Sequence, residues 1–175
     1  HADLADEYSL MPIEMKEVAK ALGQDVLSRV RKEDIIANIK ILREKLSDRA
    51  ILRALHFENE TDRVLDEVAA LKSNDLESFK KLIIESGYSS YMYLQNVYTP
   101  KDITRQELSI ALCVSEELLK GKGAYRVHGG GLAGTIQAFV PKDSLEEYKK
   151  TMESIFGEGS CFVFSIRPVG GYKIV

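Results

Sequence analysis

Cysteine is scarce: the 175 residues contain two, Cys113 and Cys161, far apart and each in an apolar run. A single disulfide stays open, but a disulfide framework is excluded. Buried free thiols in a reducing cytoplasm are the simpler reading. The three histidines are scattered and form no recognisable metal site. No apolar run approaches the length needed to span a membrane, and no secretory pattern opens the chain. A formal net charge of −3 leaves no basic footprint for nucleic acid. What remains is an ordinary globular composition of 45% apolar and 29% charged residues, long enough to bury a core. The chain opens on His1-Ala-Asp-Leu without methionine, so a processed chain or a fragment is expected.

Hydrophobic spacing predicts mostly helices. Pro12 to Leu22 carries Met11, Met15, Val18, Ala19 and Leu22 at helical spacing, with Pro12 suited to a first turn and Gly23 to a C-terminal cap. Lys32 to Leu46 reads as one helix. Ser47-Asp48 offers an N-cap to a long helix ending near Lys72. In its middle, Glu60–Arg63 and Arg63–Glu67 are spaced as surface ion pairs, and His56 reads as a partly buried, hydrogen-bonded histidine. Asp75 caps a helix to Ser86. Thr104-Arg-Gln-Glu107 and Ser144-Leu-Glu-Glu147 are capping boxes for helices to Leu119 and Phe156. Tyr88, Tyr91, Tyr93 and Tyr98 suit either a carbohydrate-stacking surface or an interface wall, and the wall is favoured.

Between the last two helices, strand-like Ala124–His128 runs into the glycine-rich loop Gly129–Gly134, and Thr135–Val140 leaves it. Cys161–Ile166 reads as another strand, and Gly170-Gly171 as a hairpin turn into Tyr172–Val175. The expected fold is α+β: helices followed by a small, mostly antiparallel sheet backed by helices. A loop this poor in side chains lets backbone pass close to something else, and its amides can form an anion-binding concavity. Taken alone it is better explained as a tight turn.

The run Arg126-Val-His-Gly-Gly-Gly-Leu-Ala-Gly-Thr135 resembles the third conserved motif of the GHMP small-molecule kinases, most closely its galactokinase version. His1-x-x-Leu-x-x-Glu-Tyr8, then Arg53-Ala-x-His56 with Glu60 and Arg63, then Leu71–Ser86 and the Phe-x-x-Ser165 strand are similar to that family's pattern in the same order. The resemblance covers essentially the whole chain, residues 1–175, as the family's C-terminal domain. It implies transfer of the ATP γ-phosphoryl group to the anomeric hydroxyl of galactose, with ATP and Mg2+ bound in a cleft between two domains. It implies that Tyr8 helps to bind the sugar. His128, Gly129, Gly130, Gly131, Leu132, Ala133 and Gly134 would support the nucleotide-phosphate loop.

The departures are His128 for threonine, Leu132 for phenylalanine, Ala133 for glycine and Thr135 for cysteine. Ser86-Gly87 also stands in place of a Ser-His pair. They leave the sugar open between galactose and a derivative. The phosphate-gripping loop, the catalytic aspartate and the sugar-binding Glu-His-x-Asp segment of such kinases match nothing in this chain. No catalytic or metal-binding residue is therefore assigned to it, and the chain alone is expected to be inactive. The partners implied are the sugar, ATP and the missing N-terminal domain, with a homodimer through the exposed domain face as a further reading. The remaining alternative is a stand-alone ligand-binding or regulatory module built on the same fold.

Overall fold

The computed structural model describes residues 4–132, 134–166 and 169–170. They fall into two units, divided after Pro141. The first begins with α1 (Ala5–Ala21), followed by α2 (Lys32–Ala37), α3 (Ile39–Arg43), α4 (Asp48–Lys72) and α5 (Leu76–Ser89). A single π-helical turn, Ser90–Leu94, continues α5. Then come α6 (Glu107–Leu119) and the strands β1 (Ala124–His128) and β2 (Thr135–Phe139). The strands pair antiparallel, from Ala124 opposite Phe139 to His128 opposite Thr135. The α+β class is as expected.

Helix α1 starts two turns earlier than proline chemistry suggests. Pro12 lies inside it, so Tyr8's carbonyl loses its usual i+4 donor. Burial of Glu7 and Met11 in that first stretch accounts for the extension. The expected helix Lys32–Leu46 is broken at Asn38. Its side-chain amide donates to the Asp34 carbonyl at 2.8 Å, where the Asn38 backbone N–H would otherwise bond. That N–H turns to Ile35 instead. Val18, Ala19, Leu27, Ile35, Leu42, Ala50, Ile51 and Ala54 close the core among these helices.

The caps at Ser47 and Asp75 form as read: the hydroxyl accepts from the Ala50 N–H and the carboxylate from the Ser78 N–H. The box at Thr104 does not form. Asp102 accepts both the Thr104 N–H and its hydroxyl, and α6 begins only at Glu107. Cys113 lies on the outward face of α6, offset from buried Ala111 and Ser115; it is a free thiol but exposed, not buried. Helix α4 buries its first half. Val64, Leu65, Val68 and Leu71 of its second half are exposed, although they recur at helical spacing.

Helix α5 lies directly on β1. A Cβ on Gly87 would stand 3.2 Å from the Tyr125 carbonyl oxygen and from the Arg126 Cβ, so glycine there sets the approach. Phe79 of α5 meets Phe139 of β2 edge to face at 5.4 Å.

The second unit contains α7 (Leu145–Phe156), with Tyr148 and Met152 buried. Ser144 precedes it but makes no side-chain cap; its hydroxyl bonds Asp143. Cys161–Ile166 is not a strand. Phe164 and Ile166 are 86% and 87% exposed, and no described residue pairs with the segment. A strand needs a hydrogen-bonded neighbour, and apolar character alone does not supply one. The expected hairpin at Gly170-Gly171 and strand Tyr172–Val175 lie outside the described residues, apart from Gly170.

Candidate functional site

Three segments far apart in sequence meet at the glycine loop. From α1, the Tyr8 hydroxyl donates to the Gly131 carbonyl at 2.8 Å. From just beyond the π-turn, the Asn96 carbonyl accepts the Leu132 N–H at 2.6 Å, and the Asn96 side-chain amide donates to the Gly130 carbonyl at 3.4 Å. The loop closes on itself through the Gly134 N–H and the Gly131 carbonyl, 3.0 Å apart.

This packing explains the glycines. A Cβ on Gly130 would stand 2.6 Å from the Tyr8 ring. One on Gly131, at φ +72°, would overlap the Asn96 carbonyl oxygen. Gly129 is at φ +63° with open space around it. Backbone shape and the chain's own neighbours therefore account for residues 129–131, without any phosphate. The exposed corner is His128–Gly130, whereas Gly131 and Leu132 are buried. Ala133 lies outside the described residues.

Tyr8 thus reaches the loop through its hydroxyl proton, which is given to Gly131. Replacing Tyr8 with phenylalanine should destabilise the chain by about 0.5–1.5 kcal/mol, the usual net value of one such bond. Amide exchange at Gly130–Leu132 should rise with it. An unchanged melting curve and unchanged exchange would mean the bond contributes nothing.

Beneath the loop runs a buried polar spine. Arg53 of α4 is 2% exposed. It donates to Glu14 of α1 at 2.7 Å and to the Leu94 carbonyl of the π-turn at 3.0 Å. Arg49 grips the same Glu14 carboxylate at 2.7 Å. Burial pulls the Arg53 guanidinium below its ordinary range, and the charge of Glu14 opposes that pull.

A second cluster joins α4 to α5. His56 Nδ1 and Ser89 Oγ are 2.9 Å apart, as the reading of His56 anticipated. Glu60 accepts from Ser86 and from Arg63, and Arg63 also reaches Glu85 at 2.8 Å. Glu60–Arg63 is therefore no solvated surface pair: both side chains are largely covered, because α5 packs over them. Burial pushes the Glu60 carboxyl up, but the bonds from Ser86 and Arg63 outweigh it and hold the group below its usual range.

Burial lowers the His56 imidazole from its ordinary 6.5; Glu60 opposes this, and Arg126 and Arg63 reinforce it. The unfolded chain then binds a proton that the native chain refuses, so stability rises with pH across the gap. The contribution is complete above about pH 7.5 and falls as pH drops through 6.5 toward the depressed native value. Thermal melts between pH 7.5 and 5 should show this loss, and His56→Gln should flatten it. Equal slopes in both proteins would contradict the assignment.

Sequence reasoning missed Asn96, Glu14 and the π-turn. Nothing marks Asn96 in a tyrosine-rich stretch, and Glu14 is 39 residues from the arginine it holds. A shallow groove of about 560 Å3 on α3 and the start of α4, lined in part by Lys40, Arg43 and Asp48, shares no residue with the loop. Among the described residues, no three His, Cys, Asp or Glu side chains gather where they could hold a metal ion.

The chain superposes on the crystal structure of Lactococcus lactis galactokinase complexed with galactose, with a TM-score of 0.65 over 87% of this chain and 38% of that one, at 21% identity. That likeness shows the fold alone, that of the C-terminal region of that galactokinase. In sequence the chain is 32% identical over 177 residues to the galactokinase of Bos taurus, covering all of this chain and 41% of that protein. It is 31% identical over 150 residues to that of Haemophilus influenzae, and 29% identical over 160 to that of Thermotoga neapolitana. No family model matches it. The chain spans about two fifths of the length of these relatives. In sequence and in fold it is similar to the C-terminal part of galactokinases.

Proposed function

We propose that residues 1–175 act as the C-terminal domain of an ATP-dependent sugar kinase that phosphorylates galactose at the anomeric hydroxyl, the rest of the enzyme lying upstream. The observation that carries this reading is the similarity to galactokinases over 86–100% of the chain. In phosphoryl transfer the protein works by positioning and by neutralising charge around the γ-phosphate. This chain's share is positioning. Tyr8 and Asn96 fix the glycine loop, and the loop offers the exposed corner His128–Gly130. Small residues there let a second phosphate-binding loop pack closely, and backbone amides add positive potential.

ATP supplies the phosphoryl group, and Mg2+ neutralises its charge when bound. The family resemblance puts the metal's ligands and the general base upstream of this chain. The family resemblance gives Tyr8 a sugar contact, and its hydroxyl here donates to Gly131. Exposed Tyr88, Tyr91 and Met92 form an apolar, aromatic surface suited to covering by the upstream domain. No described helix is long and apolar enough to cross a membrane.

The test is a coupled ATP-turnover assay of the full-length gene product with galactose, N-acetylgalactosamine and no sugar. Turnover that depends on galactose supports the reading. Turnover with the derivative alone moves the substrate within the superfamily, and no sugar-dependent turnover overturns it.

A further inference from the structure

The glycine loop rests on a strained seat. Two non-glycine residues, Gln95 at φ +56° and Leu132 at φ +59°, occupy the left-handed region. They flank a single hydrogen bond, from the Leu132 N–H to the Asn96 carbonyl. Gln95 ends the π-helical turn, and its own N–H bonds back to the Ser90 carbonyl at 2.8 Å. Non-glycine residues take this conformation only when their surroundings impose it, and such strain collects where a chain must present something accurately. Single π-turns inserted at helix ends often mark functional positions for the same reason.

The side chain of Asn96 adds a second observation. Its residue is 1% exposed. Its amide nitrogen faces the Gly130 carbonyl, while its Oδ1 is buried with no partner among the described residues. An orphan acceptor at that depth is costly, and packing alone gives no reason to keep an asparagine there. The π-turn that carries Asn96 is tied in turn to the buried Arg53–Glu14 pair through the Leu94 carbonyl. A connected path therefore runs from α1 and α4 to the loop.

We propose that Asn96 is the positioning residue of the glycine loop, and that the strained turn Gln95–Asn96 sets where the corner His128–Gly130 stands relative to a bound nucleotide's phosphates. The inference rests on the kinase reading above. Asn96 touches no reacting atom; it acts through Gly130 and Leu132.

The test uses the full-length protein with three variants. Asn96→Ala removes the side-chain hold. Gln95→Val changes an exposed residue, but a β-branched side chain resists φ > 0. Gln95→Gly accepts that angle readily. Asn96→Ala and Gln95→Val should each lower kcat about 10- to 100-fold, with KM for galactose unchanged and KM for ATP raised. Gln95→Gly should match the parent. Equal kinetics in all four proteins would overturn the proposal, as would a Gln95→Gly defect equal to that of Gln95→Val.

If the parent turns over no sugar, the kinase reading fails by itself, and amide exchange in the 175-residue chain decides the seat. Faster exchange at Leu132 in Asn96→Ala and Gln95→Val, but not in Gln95→Gly, supports the seat. Unchanged exchange overturns it.

Discussion

Replacing Arg53 with alanine is expected to destabilise the chain by about 3–5 kcal/mol, the range for breaking one side of a buried ion pair. The guanidinium is almost wholly buried and serves two elements at once: the Glu14 carboxylate of α1 and the Leu94 carbonyl of the π-turn. Without it, Glu14 keeps only the more exposed Arg49. The Leu94 carbonyl is left without this donor, and the space of a long side chain opens between the helices. For a chain of this length the melting temperature should fall by roughly 6–20 °C. Arg53→Lys should rescue little, because a single ammonium cannot span a carboxylate and a carbonyl as the planar fork does. Joint replacement by Glu14→Leu and Arg53→Met should cost less than either single change, since the charge it leaves without a partner is that of the more exposed Arg49. Denaturant melts of the parent and these variants measure this directly. A loss below about 1 kcal/mol in Arg53→Ala would show that the pair is not structural.

The second large effect is expected at Gly131. Alanine there must hold φ +72°, at roughly 1–2 kcal/mol for the left-handed backbone. Its Cβ must also displace the Asn96 main chain, a further ~1–3 kcal/mol as for overpacking elsewhere. Gly129→Ala is the control: its φ of +63° carries the same backbone strain, but nothing stands within 4 Å of the added carbon. Gly131→Ala should therefore be the more destabilised of the two. It alone should free the Leu132 amide to exchange, because its clash falls on the carbonyl that amide bonds. Equal losses would mean that backbone conformation accounts for both glycines and that contact with Asn96 is unimportant.

Much of the helical framework is legible because local rules and burial agree. Ser47 and Asp75 cap the helices they precede, and Leu108, Ala111, Ser115 and Leu119 face inward from α6 as their spacing requires. The β1–loop–β2 hairpin is equally legible from its glycines. The failures arise where a distant contact overrides a local preference. Pro12 marks a helix start by its own chemistry, yet burial of Glu7 and Met11 carries α1 past it. Asn38 splits one periodic stretch because its side chain takes a carbonyl from its own backbone. Thr104 fails as a cap because Asp102 claims its hydroxyl. Cys161–Ile166 is strongly apolar like a strand but lacks a described neighbour to bond with.

At the site, the loop and Tyr8 are readable, but what they do to each other is not. The spacing of 123 residues between Tyr8 and Gly131 gives no hint that the tyrosine hydroxyl is bonded to the loop itself. Asn96 is invisible for a related reason. Part of its contribution comes from a main-chain carbonyl turned by a left-handed neighbour, and residue identity encodes that only weakly.

The central claim is that this chain positions one wall of a kinase site and needs an upstream domain to complete it. Isothermal titration with galactose and with Mg-ATP, separately and together, tests it on the 175-residue chain beside the full-length gene product. The account predicts heat from the full-length protein and none from the chain alone. Saturable heat from the chain alone would contradict it, and would make the chain an independent binding module.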